Sequence, residues 1–254
     1  MAKKKEEKLK FDRIYIPTLG RTNNQITYDG LPDFVKDITY LVIQPHEKKL
    51  HKDKKVLVLP KSVKGINNTR KWIYEKAKNT IWGMFDDDLV FQKRNGSKKT
   101  IMTDNDWKVM LNKTYHSLTT DIPFMGHRLS FLPPLPVSYK ENTGCHCAFY
   151  FNGKVLPELD WSMPLAEDLH MVLQLLRKGF NNKVWNKYSV LNRAYREGGC
   201  NTKGIRTIKK INSSHKKLIK LHPDFVKNDG YKETKMGKEI KMRISWNKSY
   251  SYRE

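Results

Sequence analysis

Three consecutive aspartates, Asp86, Asp87 and Asp88, close the apolar run Thr80-Ile81-Trp82-Gly83-Met84-Phe85, and Leu89 follows at once. Like charges a few ångströms apart repel at reduced dielectric unless a cation sits among them, so the triplet points to a divalent metal. Asp86 and Asp88 lie two apart and project to the same side of an extended segment, which makes them the expected ligands. Asp87 then points elsewhere, towards a ribose or base. Mn²⁺ or Mg²⁺, held by one or two carboxylates plus phosphate oxygens, fits such a turn. The plainer use of aspartates is a solvated loop or a helix N-cap. An isolated acidic triplet with apolar flanks, in a very basic chain, favours the ligand reading.

A second acidic pair, Glu167-Asp168, opens an apolar-periodic segment. Carboxylates there suit the positive end of a helix dipole and often do nothing more. Their chemical use is general base catalysis, taking a proton from an attacking hydroxyl, with Asp168 the first choice and Glu167 the second. Gly198-Gly199 is either a tight turn or a place where backbone amides approach a ligand. Cys145-His146-Cys147 lacks C-x-x-C spacing, and adjacent ligands on a strand face opposite ways, so buried thiols are the better reading than zinc. His222, in Leu221-His222-Pro223-Asp224, is either a further metal ligand or part of a turn.

These residues need a scaffold, and the apolar runs supply one. Arg13–Pro17, Thr39–Ile43, Lys55–Pro60 and Thr80–Phe85 read as short buried strands, and a helix carrying Trp72, Ile73, Lys76 and Ala77 lies among them. Strands alternating with helices predict an α/β fold with a mostly parallel sheet, whose ligands bind beyond the C-terminal strand ends. Pro17-Thr18-Leu19-Gly20-Arg21 and the aspartates both fall on that edge. Further expectations are a helix near 104–120, extended pieces through 131–136, a strand over 147–151, and a helix over 164–179 with a glycine end.

The 254 residues carry 49 Lys and Arg against 26 acids, a formal charge of +23 that attracts polyanions. Nucleic acid is the leading partner and a membrane is not expected. The segment 1–10 reads as a basic arm, 11–226 as one domain and 227–254 as a basic extension. Three cysteines with no apolar leader before them point to a reducing cytoplasm. P-loop and dinucleotide fingerprints are absent.

The order of motifs resembles GT-A type glycosyltransferases: a strand leading to Pro-Thr-x-Gly-Arg, a helix containing Arg70, an apolar strand ending in Asp-x-Asp, and a later Glu-Asp pair. Glu167-Asp168 with Leu173–Phe180, then Gly198-Gly199-Cys200-Asn201-Thr202, then His222–Val226 is similar to the enzymes that glycosylate hydroxymethylated bases in phage and kinetoplastid DNA. The resemblance implies that Pro17, Thr18, Arg21, Arg70 and Asp87 bind a UDP-sugar donor, that Asp86 and Asp88 hold Mn²⁺ or Mg²⁺, and that Asp168 faces the acceptor. Lys203, Arg206, Lys209 and Lys210 are then expected on DNA phosphates, and the acceptor base is expected to flip. If a phage encodes the chain, its compartment is the infected host's cytoplasm. A basic metal-dependent nucleic-acid binder or nuclease, and a glycosyltransferase with another acceptor, are the alternatives.

Overall fold

The computed structural model describes residues 10–192, 198–199 and 204–251. Most of the expected arm, together with Cys200 and Lys203, falls outside the described residues.

Four strands, Arg13–Pro17 (β1), Thr39–Ile43 (β2), Val56–Val58 (β3) and Ile81–Phe85 (β4), lie parallel in the order β3-β2-β1-β4. Parallel pairing requires crossovers. The short helices Ile26–Asp29 (α1) and Asp33–Lys36 (α2) lie between β1 and β2, and the longer Ile66–Lys76 (α3) lies between β3 and β4. Successive β1 residues face opposite layers: Ile14 and Ile16 join a core with Leu41, Phe85 and Trp107, while Tyr15 joins Val42, Ile73, Trp82 and Phe149. Burial on both faces is why these strands read as continuous apolar runs.

The sheet then continues with Leu89–Asn95 (β5), Lys98–Ile101 (β6), Phe124–Leu129 (β7), Tyr139–Glu141 (β8), Ala148–Asn152 (β9) and Asn182–Asn192 (β10). Its full order is β3-β2-β1-β4-β9-β7-β10-β5-β6, with β8 paired to β10. β9 runs antiparallel to β4 and β7, whereas β7 and β10 are parallel. The α/β expectation therefore holds. Helix Asp104–Ser117 (α4) starts from a Thr103–Asp106 capping box, which fixes its first turn.

The expected extended pieces over 131–136 are not a strand. Pro133, Pro134 and Pro136 lack the N–H a ladder needs, and the segment is a loop ahead of β8. The expected helix over 164–179 is Glu167–Arg177 (α5), entered through a left-handed Ala166 and followed by Gly179 at φ +80°. After it come Ile208–Leu221 (α6), a separate two-stranded sheet of Val226–Thr234 (β11) and Gly237–Ile244 (β12), and Trp246–Ser251 (α7). No described helix is long and apolar enough to cross a membrane.

Candidate active site

The acidic turn bridges β4 and β5 at the C-terminal edge of the parallel strands, and its backbone is fastened before its side chains act. Asp86 N–H donates to Cys147 C=O at 2.7 Å, extending the β4–β9 ladder by one bond. Thr27 holds the other side: its hydroxyl donates to Asp86 C=O at 2.6 Å and accepts from Leu89 N–H at 2.8 Å, and its own N–H donates to Asp87 C=O.

Two buried arginines divide the three carboxylates. Arg21 Nη1 donates to Asp87 Oδ1 and lies 3.1 Å from Asp88 Oδ2. Arg70 Nη2 donates to Asp86 Oδ1 at 2.6 Å, and its Nη1 stands 3.3 Å from Glu167 Oε1 without hydrogen-bond alignment. The repulsion that called for a cation in the sequence is thus partly met inside the fold. Five carboxylates, Asp86, Asp87, Asp88, Glu167 and Asp168, still outnumber the two guanidiniums. Burial pushes Asp86 above the usual carboxylate range, with the charges of Asp88 and Asp168 adding to it and Arg70 opposing. Burial likewise raises Asp87, to about 6, against the pull of Arg21 and Thr18.

Exposure separates the roles. The Asp86 and Asp168 side chains are 25% and 21% exposed, whereas Asp87 and Glu167 are 8%. Both oxygens of Asp87 are engaged, Oδ1 by Arg21 and Oδ2 by the Thr18 hydroxyl at 2.6 Å. Asp87 therefore ties the loop after β1 to the acidic turn. Glu167 sits behind Arg70 and its carboxyl is raised, burial outweighing Arg70. Burial also disfavours the Asp168 charge, but His146, Arg70 and the Leu169 amide outweigh it and hold this carboxyl below its usual range. Arg70 is held well above its own range, since Asp86, Glu167 and Asp168 outweigh its burial.

Several residues of the site carry no sequence signal. Fully buried Gln25 donates to Thr18 Oγ1 at 2.9 Å and to Arg21 C=O at 2.6 Å, fixing the Pro17–Arg21 loop from inside. Glu47 accepts from Gly20 N–H at 2.6 Å on the same loop. His146 Nδ1 stands 3.3 Å from Asp168 Oδ2, and its side chain is 32% exposed. Cys145 and Cys147 flank it as buried thiols, each pushed up by burial, as the thiol reading expected. Only the alternation of a polar residue between two cysteines hinted that His146 turns outward.

The glycine pair also reaches this loop. Gly199 N–H donates to Leu19 C=O at 2.6 Å, and a Cβ on Gly198, at φ +86°, would come within 2.7 Å of Arg21 Cγ. Close approach to the Arg21 loop, not only turning, requires glycine there.

His222 does not join the site. Its Nε2 faces His170 Nδ1 at 2.8 Å and its Nδ1 faces Arg177 at 3.0 Å, so both ring nitrogens are engaged, and the expectation of a metal ligand is corrected. A consistent arrangement runs Arg177 to His222 to His170 to Asp160, with both rings neutral. Burial, then His170 and Arg177, lowers His222 to about 3. Among the described residues no three His, Cys, Asp or Glu groups make a metal cage unaided. Of the expected phosphate contacts, Arg206 lies just before α6, with Lys209 and Lys210 in its first turn, all exposed.

The family model described as TET-Associated Glycosyltransferase matches residues 13–199, from β1 through the glycine pair. The chain belongs to this glycosyltransferase family. The resemblance read from the sequence is thereby borne out, and every strand around the acidic turn lies within the match. This TET-associated glycosyltransferase is 27% identical over 229 residues to the Beta-glucosyl-HMC-alpha-glucosyl-transferase of Enterobacteria phage T6, covering 79% of this chain and 80% of that one. It is 27% identical over 202 residues to the protein of the same name from Enterobacteria phage T2, covering 68% and 71%. A crystal structure of S. aureus TarS 1-349 superposes with a TM-score of 0.42 at 13% identity, over 70% of this chain and 58% of that one. The chain thus spans less than two thirds of TarS 1-349.

Proposed function

We infer that this glycosyltransferase moves a sugar from a UDP-sugar to the hydroxyl of a 5-hydroxymethylpyrimidine in DNA, with 5-hydroxymethylcytosine the first acceptor to test. The observation that carries the reading is the pairing of two solvent-facing carboxylates, Asp86 and Asp168, on either side of buried Arg70 in a chain of charge +23. The HMC in the names of both phage relatives supports the acceptor. Phage relatives also favour an infected bacterial cytoplasm as the compartment.

In this reading Asp168 takes the proton of the attacking hydroxyl; its depressed pKa keeps it ionised but makes it a weak base, so the proton moves only as the new bond forms. His146 orients it, and Glu167 steadies Arg70. Arg70 holds Asp86 in place and leaves its Nε without a protein partner. Thr18, Arg21 and Asp87, with Pro17 at the end of β1, form the floor on which the donor nucleotide lies.

The residues present suit a hard divalent ion: oxygen donors only, an excess of negative charge, and an Asp86 whose ionisation is opposed in the absence of a cation. Asp86 and Asp88 would hold Mn²⁺ or Mg²⁺, with donor phosphates completing the shell. Bound there, such an ion would supply positive charge to offset the charge growing on the departing diphosphate. Arg206, Lys209 and Lys210 pair with DNA phosphates, and the acceptor base flips to reach Asp168.

The test is direct. The protein is incubated with hydroxymethylcytosine or hydroxymethyluracil DNA, Mn²⁺ and a panel of UDP-sugars, and the digested nucleosides are weighed. A gain of one sugar mass on either base is expected, and chelation should remove it. No gain with any donor sinks the reading.

The relatives' name contains glucosyl groups besides HMC, which favours a second acceptor, a sugar hydroxyl on an already glucosylated base. Including glucosylated DNA in the same panel separates the two.

A further inference from the structure

The unit formed by α6, β11 and β12 uses its charge unlike the rest of the chain. Residues 208–244 contain eleven lysines and arginines against four acids, and α6 itself holds five lysines and no acid. Helix α6 turns Ile211 and Leu218 inward, and Leu218 joins a core with Met163, Leu173, Phe225 and Val226. Asn212 accepts from Ile240 N–H at 2.8 Å and donates to Lys238 C=O at 2.9 Å, while His215 bonds Ile240 C=O. The helix therefore covers the free edge of β12, removing one of the two edges that invite pairing.

The opposite face of the ribbon is left to solvent. Lys227 and Arg243 are register partners, so two positive side chains stand directly across from one another on one face, and Lys241 lies on that same face. Like charges so placed destabilise a strand pair. Asp229 meets Lys241 at 2.9 Å, with the Arg243 charge also acting on it, and Glu239 meets Lys232 at 3.0 Å, but among the described residues no ion pair closes on Lys227 or Arg243. Lys227 Nζ donates to Pro223 C=O at 2.6 Å, which leaves its charge and that of Arg243 without an ion pair and open to an anionic partner.

We propose that the outer face of the β11–β12 ribbon, through Lys227, Lys241 and Arg243, binds the phosphate backbone of duplex DNA. The inference rests on the reading of DNA as acceptor and names the surface that holds it. Eight or nine residues at about 3.4 Å each make a ribbon near 30 Å long, and a two-stranded ribbon matches the width of a major groove. The ribbon is also tied to the reaction centre. Its core residues pack on α5, whose first turn carries Glu167 and Asp168, and Trp246, next but one after β12, lies against Gly144 beside the His146 loop. DNA gripped by the ribbon is thus held on the element that presents Asp168. The contacts are to phosphate, so binding depends on salt far more than on sequence.

The full chain with Lys227→Gln, Lys241→Gln and Arg243→Gln together is compared with the unaltered protein in duplex binding by anisotropy from 50 to 200 mM salt. Turnover is measured at varied DNA concentration. We expect at least a tenfold loss of affinity at 150 mM salt and a salt slope lower by roughly two to three. KM for duplex should rise in proportion while kcat at saturation stays within twofold. A melting-temperature shift by UDP with Mn²⁺ equal to that of the unaltered protein shows an intact donor site. Should the triple variant not fold, Lys227→Gln with Arg243→Gln alone must lower the slope by more than one. Unchanged affinity and slope overturn the proposal, as does equal loss of binding to polyglutamate, which would give the face to an acidic protein. If duplex binding falls as expected but no sugar is transferred by the unaltered protein, the surface stands and the acceptor reading fails.

Discussion

The acidic turn and the C-terminal ribbon treat charge in opposite ways. At the turn, Asp86, Asp87 and Asp88 are matched within the chain by Arg70 and Arg21, whose side chains are only 4% and 6% exposed. On the ribbon, Lys227 and Arg243 are paired in register and left in solvent. Burial makes an unpaired charge expensive, so the interior supplies its own counter-charges, whereas an exposed surplus costs little until a partner arrives. A charge cluster therefore says more about function when its partners are located than when it is counted.

The contrast can be broken at several points. Asp168→Ala should lower kcat by two to four orders of magnitude, since general base catalysis is worth that much. DNA affinity should be unchanged or slightly higher, because only a negative charge is lost. Turnover within tenfold of the unaltered protein would remove Asp168 from the reaction.

Arg70→Met keeps much of the side-chain volume but strands Asp86 and Glu167. Breaking a buried pair from one side costs about 3–5 kcal/mol, or on the order of 10 °C in Tm for a domain of this size. Lys227→Gln on the ribbon should move Tm by less than about 2 °C. Similar shifts for the two would erase the distinction between clamp and surface.

Two buried histidines make the fold sensitive to acid. His222, in the Asp160–His170–His222–Arg177 chain, is lowered to about 3, and burial holds His127, bonded to Tyr188 C=O and Tyr150, at about 4. The unfolded chain takes up protons below about 6.5 while the folded one does not, so stability is full above that pH and is lost as pH falls towards these values. Each histidine should cost about 2 kcal/mol at pH 5. Asp87 and Glu167, raised in the fold, act the other way over this window, so calorimetry between pH 7 and 5 compares the unaltered protein with His222→Gln and His127→Gln. Each variant's Tm should fall less with acid, and an equal fall would mean that the replaced ring is charged in the fold.

Much of the first half was legible because β1, β2 and β4 are buried on both faces and bounded by proline, glycine or acid. β10 was not, although it is among the most connected strands. Its sequence Asn182–Asn192 buries Asn182, Asn186 and Ser189, and polar residues that bond loop backbone give no apolar period. At the site, Asp86 and Asp168 stood out by type and position, and Arg70 only through the family resemblance. Gln25, Thr27 and Glu47 did not, because a buried amide, hydroxyl or carboxylate that braces a loop looks like any surface residue until its partner is known. His222 misled for the converse reason: histidine is a good metal ligand, yet here both nitrogens are spent on neighbours.

Gly144 has no room for a side chain, because a Cβ there would lie 2.5 Å from the indole of Trp246. That contact imposes an order in time. The strands and the acidic turn leave the ribosome long before residue 246, and the loop that carries His146 to Asp168, though bracketed by Asn182, completes its packing only when Trp246 arrives. The acidic turn can thus form on the nascent chain while the loop that carries His146 is completed last.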